Sequence, residues 1–262
     1  TRRSSDLLFS LNIVLSIAVF FLLQSVNKYK ESFRQESLFG KWPIPKVEIE
    51  EFDKRFKPEA YGPPKNTEIY FIGSYGTRGS ISDFETWILC TFAKTASNIF
   101  EFCTFTGKTT YLLAKNSPED GKVFTLTLSP EELSSYQSSE GDKENDTKSA
   151  IDESIFKSFY YAKDKVSYKI TQLFSDSKIF DESKYLSNMD LIFIDGSHAQ
   201  SYVESDTQKA LRMIKPGGII IWHDYRGPNR TQGVFKTLNR LQKSLNLVHI
   251  SGTSFVAYKH LH

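Results

Sequence analysis

The residues able to do chemistry sit in short polar segments, each placed directly after an apolar run. The first reads Glu101-Phe-Cys103-Thr104-Phe-Thr-Gly107-Lys-Thr-Thr110. An acidic residue, a glycine turn and the start of a helix make a site for a small polar ligand, because the helix start offers free N–H groups. The Gly-Lys-Thr triplet suggests a phosphate loop, but that motif needs a glycine five residues before Gly107, where Phe102 stands. Further along come Thr127, then Asp176 and Ser177, then Asp195-Gly-Ser-His198, and finally His223-Asp224. Imidazole titrates near neutral pH, so His198 or His223 can serve as a general base. Asp195, Asp224 and His223 also form a donor set for a divalent metal, although mixed His and Asp ligands select no single ion.

These segments need a scaffold that brings their ends together. Apolar runs at Asn98 to Phe102, Val123 to Leu128, Val166 to Leu173, Asp190 to Ile194 and Ile219 to Trp222 read as strands. Helical spacing fills the gaps: a helix capped by Ser82 or Asp83, then Thr109 to Lys115, Tyr202 to Ile214 and Gly233 to Leu245. Strands alternating with helices predict a doubly wound, mostly parallel sheet. Leu247 to Ile250 and Phe255 to Tyr258, joined by a tight link, predict an antiparallel last strand at one edge. In such sheets ligands bind at the carboxyl ends of the strands, and every polar segment above lies at one. Residues 134 to 150 are polar, of low complexity, and read as a mobile surface loop.

The remaining sequence bears on location and partners. A formal net charge of +2 points to no nucleic-acid partner. Cys90 and Cys103 are too few for a disulfide framework. Leu7 to Leu23 is apolar apart from Ser10, Asn12 and Ser16, and is flanked by Arg2, Arg3, Lys28, Lys30 and Arg34. Extended to Val26, it approaches the roughly 20 residues that cross a hydrocarbon layer. No A-x-A-like cleavage site follows, so the expectation is a single-pass N-terminal transmembrane helix, with the side of the membrane open. The expected organisation is an anchor over 1–26, a charged and proline-rich stalk over 27–66, and a catalytic domain over 67–262.

EFCTFTGKTT resembles the first motif of class I S-adenosylmethionine (SAM)-dependent methyltransferases, usually written E-x-G-x-x-x-G. LIFIDGSHAQSYVESDTQKALRMIKPGGIIIWHDY is similar to the corresponding block of methyltransferase family 24. The resemblance covers about residues 80 to 260. It implies a Rossmann-like, seven-stranded sheet and SAM as cofactor. It assigns Glu101, Cys103, Thr104 and Gly107 to the loop around the methionine part, Thr127 to the ribose, and Asp176 and Ser177 to the adenine. Asp195 then faces the methionine part or a metal with His198 beside it, and His223 and Asp224 stand over the substrate. Two positions depart from the pattern. Cys103 replaces the first motif glycine, and Thr127 replaces the acidic residue that accepts the ribose hydroxyls, a bond weaker by ~1 kcal/mol or more. The activity implied is O-methylation of a small-molecule or glycan hydroxyl by a membrane-anchored enzyme. The alternatives are a binding or scaffold protein of this fold, motivated by the two departures, and a metal-dependent hydroxylase-like relative.

Overall fold

The computed structural model describes Val19 and residues 21–26, 42–77 and 81–261. The chain divides into two units, Thr1–Pro43 and Ile44–His262. In the first, Val19 and residues 21–26 are helical, with Val19, Phe21, Leu22, Leu23 and Val26 exposed. Among the described residues no helix is long and apolar enough to cross a membrane. The transmembrane helix expected over 7–26 is therefore not found, and most of that segment lies outside the described residues.

The second unit is built on an eight-stranded sheet, not seven, in the order β1-β7-β8-β6-β5-β2-β3-β4. The strands are β1 (Lys46–Val47), β2 (Asn98–Phe102), β3 (Lys122–Thr127), β4 (Ile170–Phe174), β5 (Met189–Ile194), β6 (Ile214–Trp222), β7 (Val248–Ile250) and β8 (Val256–Lys259). The additional strand is β1, whose Val47 pairs in parallel with Ile250 at the edge. It comes from the stretch read as stalk, where two residues between prolines carry no strand pattern of their own. β8 runs antiparallel to both β6 and β7, and the other pairings are parallel.

Burial explains the central strands. Leu191, Ile192, Phe193 and Ile194 are all buried, as a parallel strand covered on both faces requires. The covering helices are α1 (Asp83–Ala93), α2 (Lys108–Asn116), α4 (Gln200–Met213) and α5 (Gln232–Leu241), with α3 (Glu144–Glu153) inserted between β3 and β4. A reciprocal capping box starts α1: Glu85 N donates to the Ser82 hydroxyl, and Ser82 N donates to the Glu85 carboxylate. From β2 the chain winds to β3 and β4 on one side, then to β5 and β6 on the other. The reversal leaves a crevice beyond Phe102 and Ile194, where the polar segments converge.

The stretch expected as a mobile loop instead contains α3. None of its residues is buried, so no apolar stripe announced it. Polar and aromatic ties hold it down: Ser201 N donates to Asp142 at 3.0 Å, the Ser138 and Thr147 hydroxyls pair at 2.9 Å, and Tyr136 stacks on Tyr202 with centroids 4.3 Å apart.

Candidate active site

The loop after β2 is wound tightly. Cys103 has φ 77°, Phe105 φ 46° and Gly107 φ 79°, so three residues in five occupy the left-handed region. Cysteine at φ 77° carries strain that glycine would not, and such strain gathers at functional sites. Gly107 lines neither cavity described below; it supplies the turn, since a Cβ there would meet Tyr161 at 2.8 Å and Phe159 at 2.9 Å. Glu101 is buried beneath the loop and accepts from the Thr125 hydroxyl at 2.7 Å and from Thr110. Burial pushes its carboxyl up to about 8, so near neutral pH it is a protonated acid that staples the loop.

Two cavities open at the strand ends. The first is a slot lined by Leu126, Thr127, Tyr136, Asp176, Ser177 and Tyr202. Asp176 is buried, accepting from Tyr202 Oη at 2.8 Å and from Lys178 N at 2.9 Å. Asp206 also lines the slot. Its Oδ1 is buried without a hydrogen-bond partner, and burial pushes its carboxyl up to about 7. An orphaned acceptor in a slot with apolar walls fits a flat, apolar-faced ligand with a donor at its edge, which describes adenine.

The second cavity is a polar chamber of about 510 Å³ lined by Thr104, Asp195, His198, His223, Asp224 and Arg230, among others. Glu101 and Lys108 line it as well. Asp195 and Lys108 offer a carboxylate and an ammonium to the amino-acid part of SAM, and the chamber keeps room for an acceptor. On both counts the residues present fit the cofactor.

The floor of the chamber is a charged network. His223 Nδ1 lies 2.7 Å from Asp195 Oδ1 and 3.3 Å from Asp224 Oδ2, and its Nε2 lies 3.6 Å from Glu85 Oε2. His198 Nε2 lies 2.7 Å from Asp224 Oδ2, and Arg226 Nε lies 2.8 Å from Asp224 Oδ1. Burial disfavours charge on His223, but Asp195, Asp224 and Glu85 outweigh it and raise its pKa well above the ordinary value. Three carboxylates thus surround His223 and favour its charged form, and its side chain is only 6% exposed. His198 is also raised, burial being outweighed by Asp224, but its side chain is 29% exposed. Asp224 itself has φ 60°, and its carboxyl is held well below the usual range by both histidines despite burial. Glu85 is lowered too, burial being overcome by His223, Ser254 and Ser82.

The sequence-derived residues thus separate by place. Thr127, Asp176 and Ser177 share the slot; Glu101, Thr104, Asp195, His198, His223 and Asp224 share the chamber; Cys103 lines both. Ligand atoms of Asp195, His223 and Asp224 lie within 4.8 Å of one another, close enough to hold a metal ion. Sequence reading passed over Glu85, Glu153 and Asp206. Asp206 had a signal: it falls between Val203 and Thr207 on the buried stripe of α4, where a carboxylate has no packing role. Glu85 was visible only as the capping partner of Ser82.

Residues 100–225 match the family model described as a methyltransferase domain, family 24. No protein of curated function matches the chain at the level of sequence. Among solved structures, the chain is similar to the O-methyltransferase TomG of Streptomyces achromogenes, involved in tomaymycin synthesis and crystallised with SAM. That likeness has 14% identity and a TM-score of 0.46, over 70% of this chain and 82% of that one. It is also similar to a putative O-methyltransferase from Klebsiella pneumoniae, with 18% identity and a TM-score of 0.47 over 71% and 83%. A third likeness is to an O-methyltransferase from Bacillus cereus in complex with SAH, with 18% identity and a TM-score of 0.43 over 68% and 79%. Residues 100–225 thus carry a methyltransferase domain, and the slot and chamber at its strand ends have the linings that a SAM-dependent enzyme of class I needs.

Proposed function

We propose that the domain methylates a hydroxyl of a small polar acceptor, with His198 taking the hydroxyl proton. One observation carries this reading. His198 Nε2 is engaged by Asp224 at 2.7 Å, which leaves Nδ1 as the proton acceptor on a partly exposed ring lining the chamber. The pairing with Asp224 orients the ring and stabilises the imidazolium formed when the proton arrives. His223 is less suited to the task, because its carboxylate partners favour the charged form and its ring is enclosed.

When bound, SAM supplies a methyl group on a sulfonium and leaves as S-adenosylhomocysteine (SAH). Asp176, Ser177 and Asp206 would hold its adenine, and Thr104 and Asp195 its methionine part. Much of the catalysis is alignment and exclusion of water, to which α3 and Tyr136 contribute by walling the slot. Arg230 lines the chamber without an ion-pair partner among the described residues, which favours an acceptor with an anionic or strongly polar group. A small hydroxylated molecule or a glycan end meets that description. Tethering through residues 7–26 to a membrane belongs to the same proposal, supported by the apolar run and its basic flanks.

A second reading of the floor rests on the 4.8 Å clustering of Asp195, His223 and Asp224. With His223 deprotonated the three would hold a divalent cation beside the acceptor hydroxyl and lower its pKa. With His223 protonated, the imidazolium occupies the electrostatic place of that cation. Full turnover in EDTA selects the protonated form.

The test is transfer of labelled methyl from SAM to a panel of phenols, catechols, hydroxy acids and sugars. A product heavier by one methyl supports the enzyme. Calorimetric binding of SAM with no transfer to any acceptor class points to the scaffold reading, and a gain of one oxygen to the hydroxylase.

A further inference from the structure

We infer that Glu153, at the end of the inserted helix α3, supplies the carboxylate that accepts the ribose hydroxyls of SAM, replacing the acidic residue missing from the end of β3. The inference rests on the SAM-binding reading above.

The geometry comes from the two cavities. The slot fits adenine and the chamber fits the methionine part, so the ribose that joins them must cross their seam. Among the described residues only Cys103 and Glu153 line both cavities, so these two residues mark the seam. Cys103 brings a thiol that burial, followed by the charges of Glu153 and Asp195, keeps protonated. It cannot accept two hydroxyl protons in the manner of a carboxylate. Thr127, at the end of β3, offers one hydroxyl and no charge.

Glu153 is half-buried, and its charge is felt both at Cys103 on one side and at His198 on the other. A carboxylate there accepts from two neighbouring hydroxyls, and charge-assisted bonds of this kind are about twice as strong as neutral ones.

The helix that carries Glu153 is tied to α4 on its N-terminal side and ends in a buried residue on its C-terminal side. On its N-terminal side Asp142 accepts from Ser201 N at 3.0 Å and from the Ser201 hydroxyl at 2.5 Å. On its C-terminal side buried Ser154 donates to Ala150 O at 2.8 Å and lines the slot. The insert therefore contributes a binding group to the cofactor site as well as a wall.

Calorimetric titration of SAH into the full chain tests this, with adenine as a second probe. Glu153→Gln is expected to weaken SAH about tenfold or more and to leave adenine unchanged. Adding Thr127→Asp to Glu153→Gln is expected to restore most of the loss, since it returns a carboxylate to the lining of the same slot. Unchanged SAH affinity in Glu153→Gln, with the parent chain binding, overturns the inference alone. Equal loss for SAH and adenine also overturns it, because it assigns Glu153 to the shape of the insert. Failure of the parent chain to bind SAH removes the cofactor reading and the inference with it.

Discussion

At the residue scale the two histidines of the chamber make opposite predictions, although sequence alone ranked them equally. His198 faces the chamber through a partly exposed ring, so His198→Ala should lower turnover by about 10²- to 10⁴-fold and leave SAM affinity within error. Its raised pKa fixes the sign of the pH dependence: the base works when neutral, so activity in the parent falls as pH drops through that raised value. A pH–rate profile of His198→Ala that keeps this limb would remove the assignment. His223→Ala instead leaves Asp195, Asp224 and Glu85 around a lost cation, and should cost about 3–5 kcal/mol of stability. Thermal melts separate the two substitutions before any acceptor is known. Glu101 carries a third prediction. Its folded-state pKa of about 8 lies above the ordinary 4.5, so its neutral form costs nothing below pH 4.5 and stability is lost as pH rises from there through 8. Glu101→Gln cannot ionise, so its stability relative to the parent should climb across that window, by up to about 5 kcal/mol. A constant difference between pH 4.5 and 8 would show that Glu101 ionises normally. The candidate residues were legible because they follow strands whose apolar runs are hard to mistake. Their roles were not, because the difference between His198 and His223 is made by burial and by Asp195, which lies 2.7 Å from His223 Nδ1, with Glu85 adding a weaker contact from more than a hundred positions away in the chain.

At the element scale the position of His198 depends on how closely two helices meet. Gly233, in the first turn of α5, lies against the residues that lead into α4. A Cβ on Gly233 would lie 2.1 Å from His198 O and 2.5 Å from Gln200 N, both backbone atoms that cannot swing aside. Gly233→Ala must therefore push the helices apart, at about 3 kcal/mol, and carry His198 away from Asp224. Tm should fall by several degrees, and turnover should fall further than SAM affinity, because the adenine slot does not touch α5. A parental Tm would mean that the helices sit further apart than this packing allows. The helices themselves were legible from their apolar spacing, and each lies within a few residues of its expected bounds. Helix α3 was not. Its ten residues bury nothing, and it stands on tethers such as Tyr136 on Tyr202 that no local pattern contains.

At the scale of the whole molecule the doubly wound order follows from local signals, since parallel strands covered on both faces need helices between them and ligands gather where the winding reverses. What local signals could not show is where the domain begins. Residues 44–66 read as stalk because prolines and charges break any periodicity, but Ile44 and Phe56 are 2% exposed and Ile49 is 6% exposed. Phe56 packs edge-on against Trp87 and Phe92, with centroids 5.0 and 5.2 Å away, and so closes the outer face of α1. Each such side chain contributes about 1.5–3 kcal/mol, and together they rival the 5–15 kcal/mol that holds a domain of this kind folded. Two truncations should therefore behave very differently. A chain starting at Ile44 keeps every one of these contacts and should melt with the parent, since residues 44–262 form one compact unit. A chain starting at Asn66 loses Ile44, Ile49, Phe56 and strand β1 together, and should melt far lower or fail to fold. Because α1 also carries Glu85, the shorter chain should lose the clamp on His223 even where a residual fold survives. If it retains the parental Tm and pH profile, the edge strand and its lead-in are ornament, and the site is held by the central strands alone.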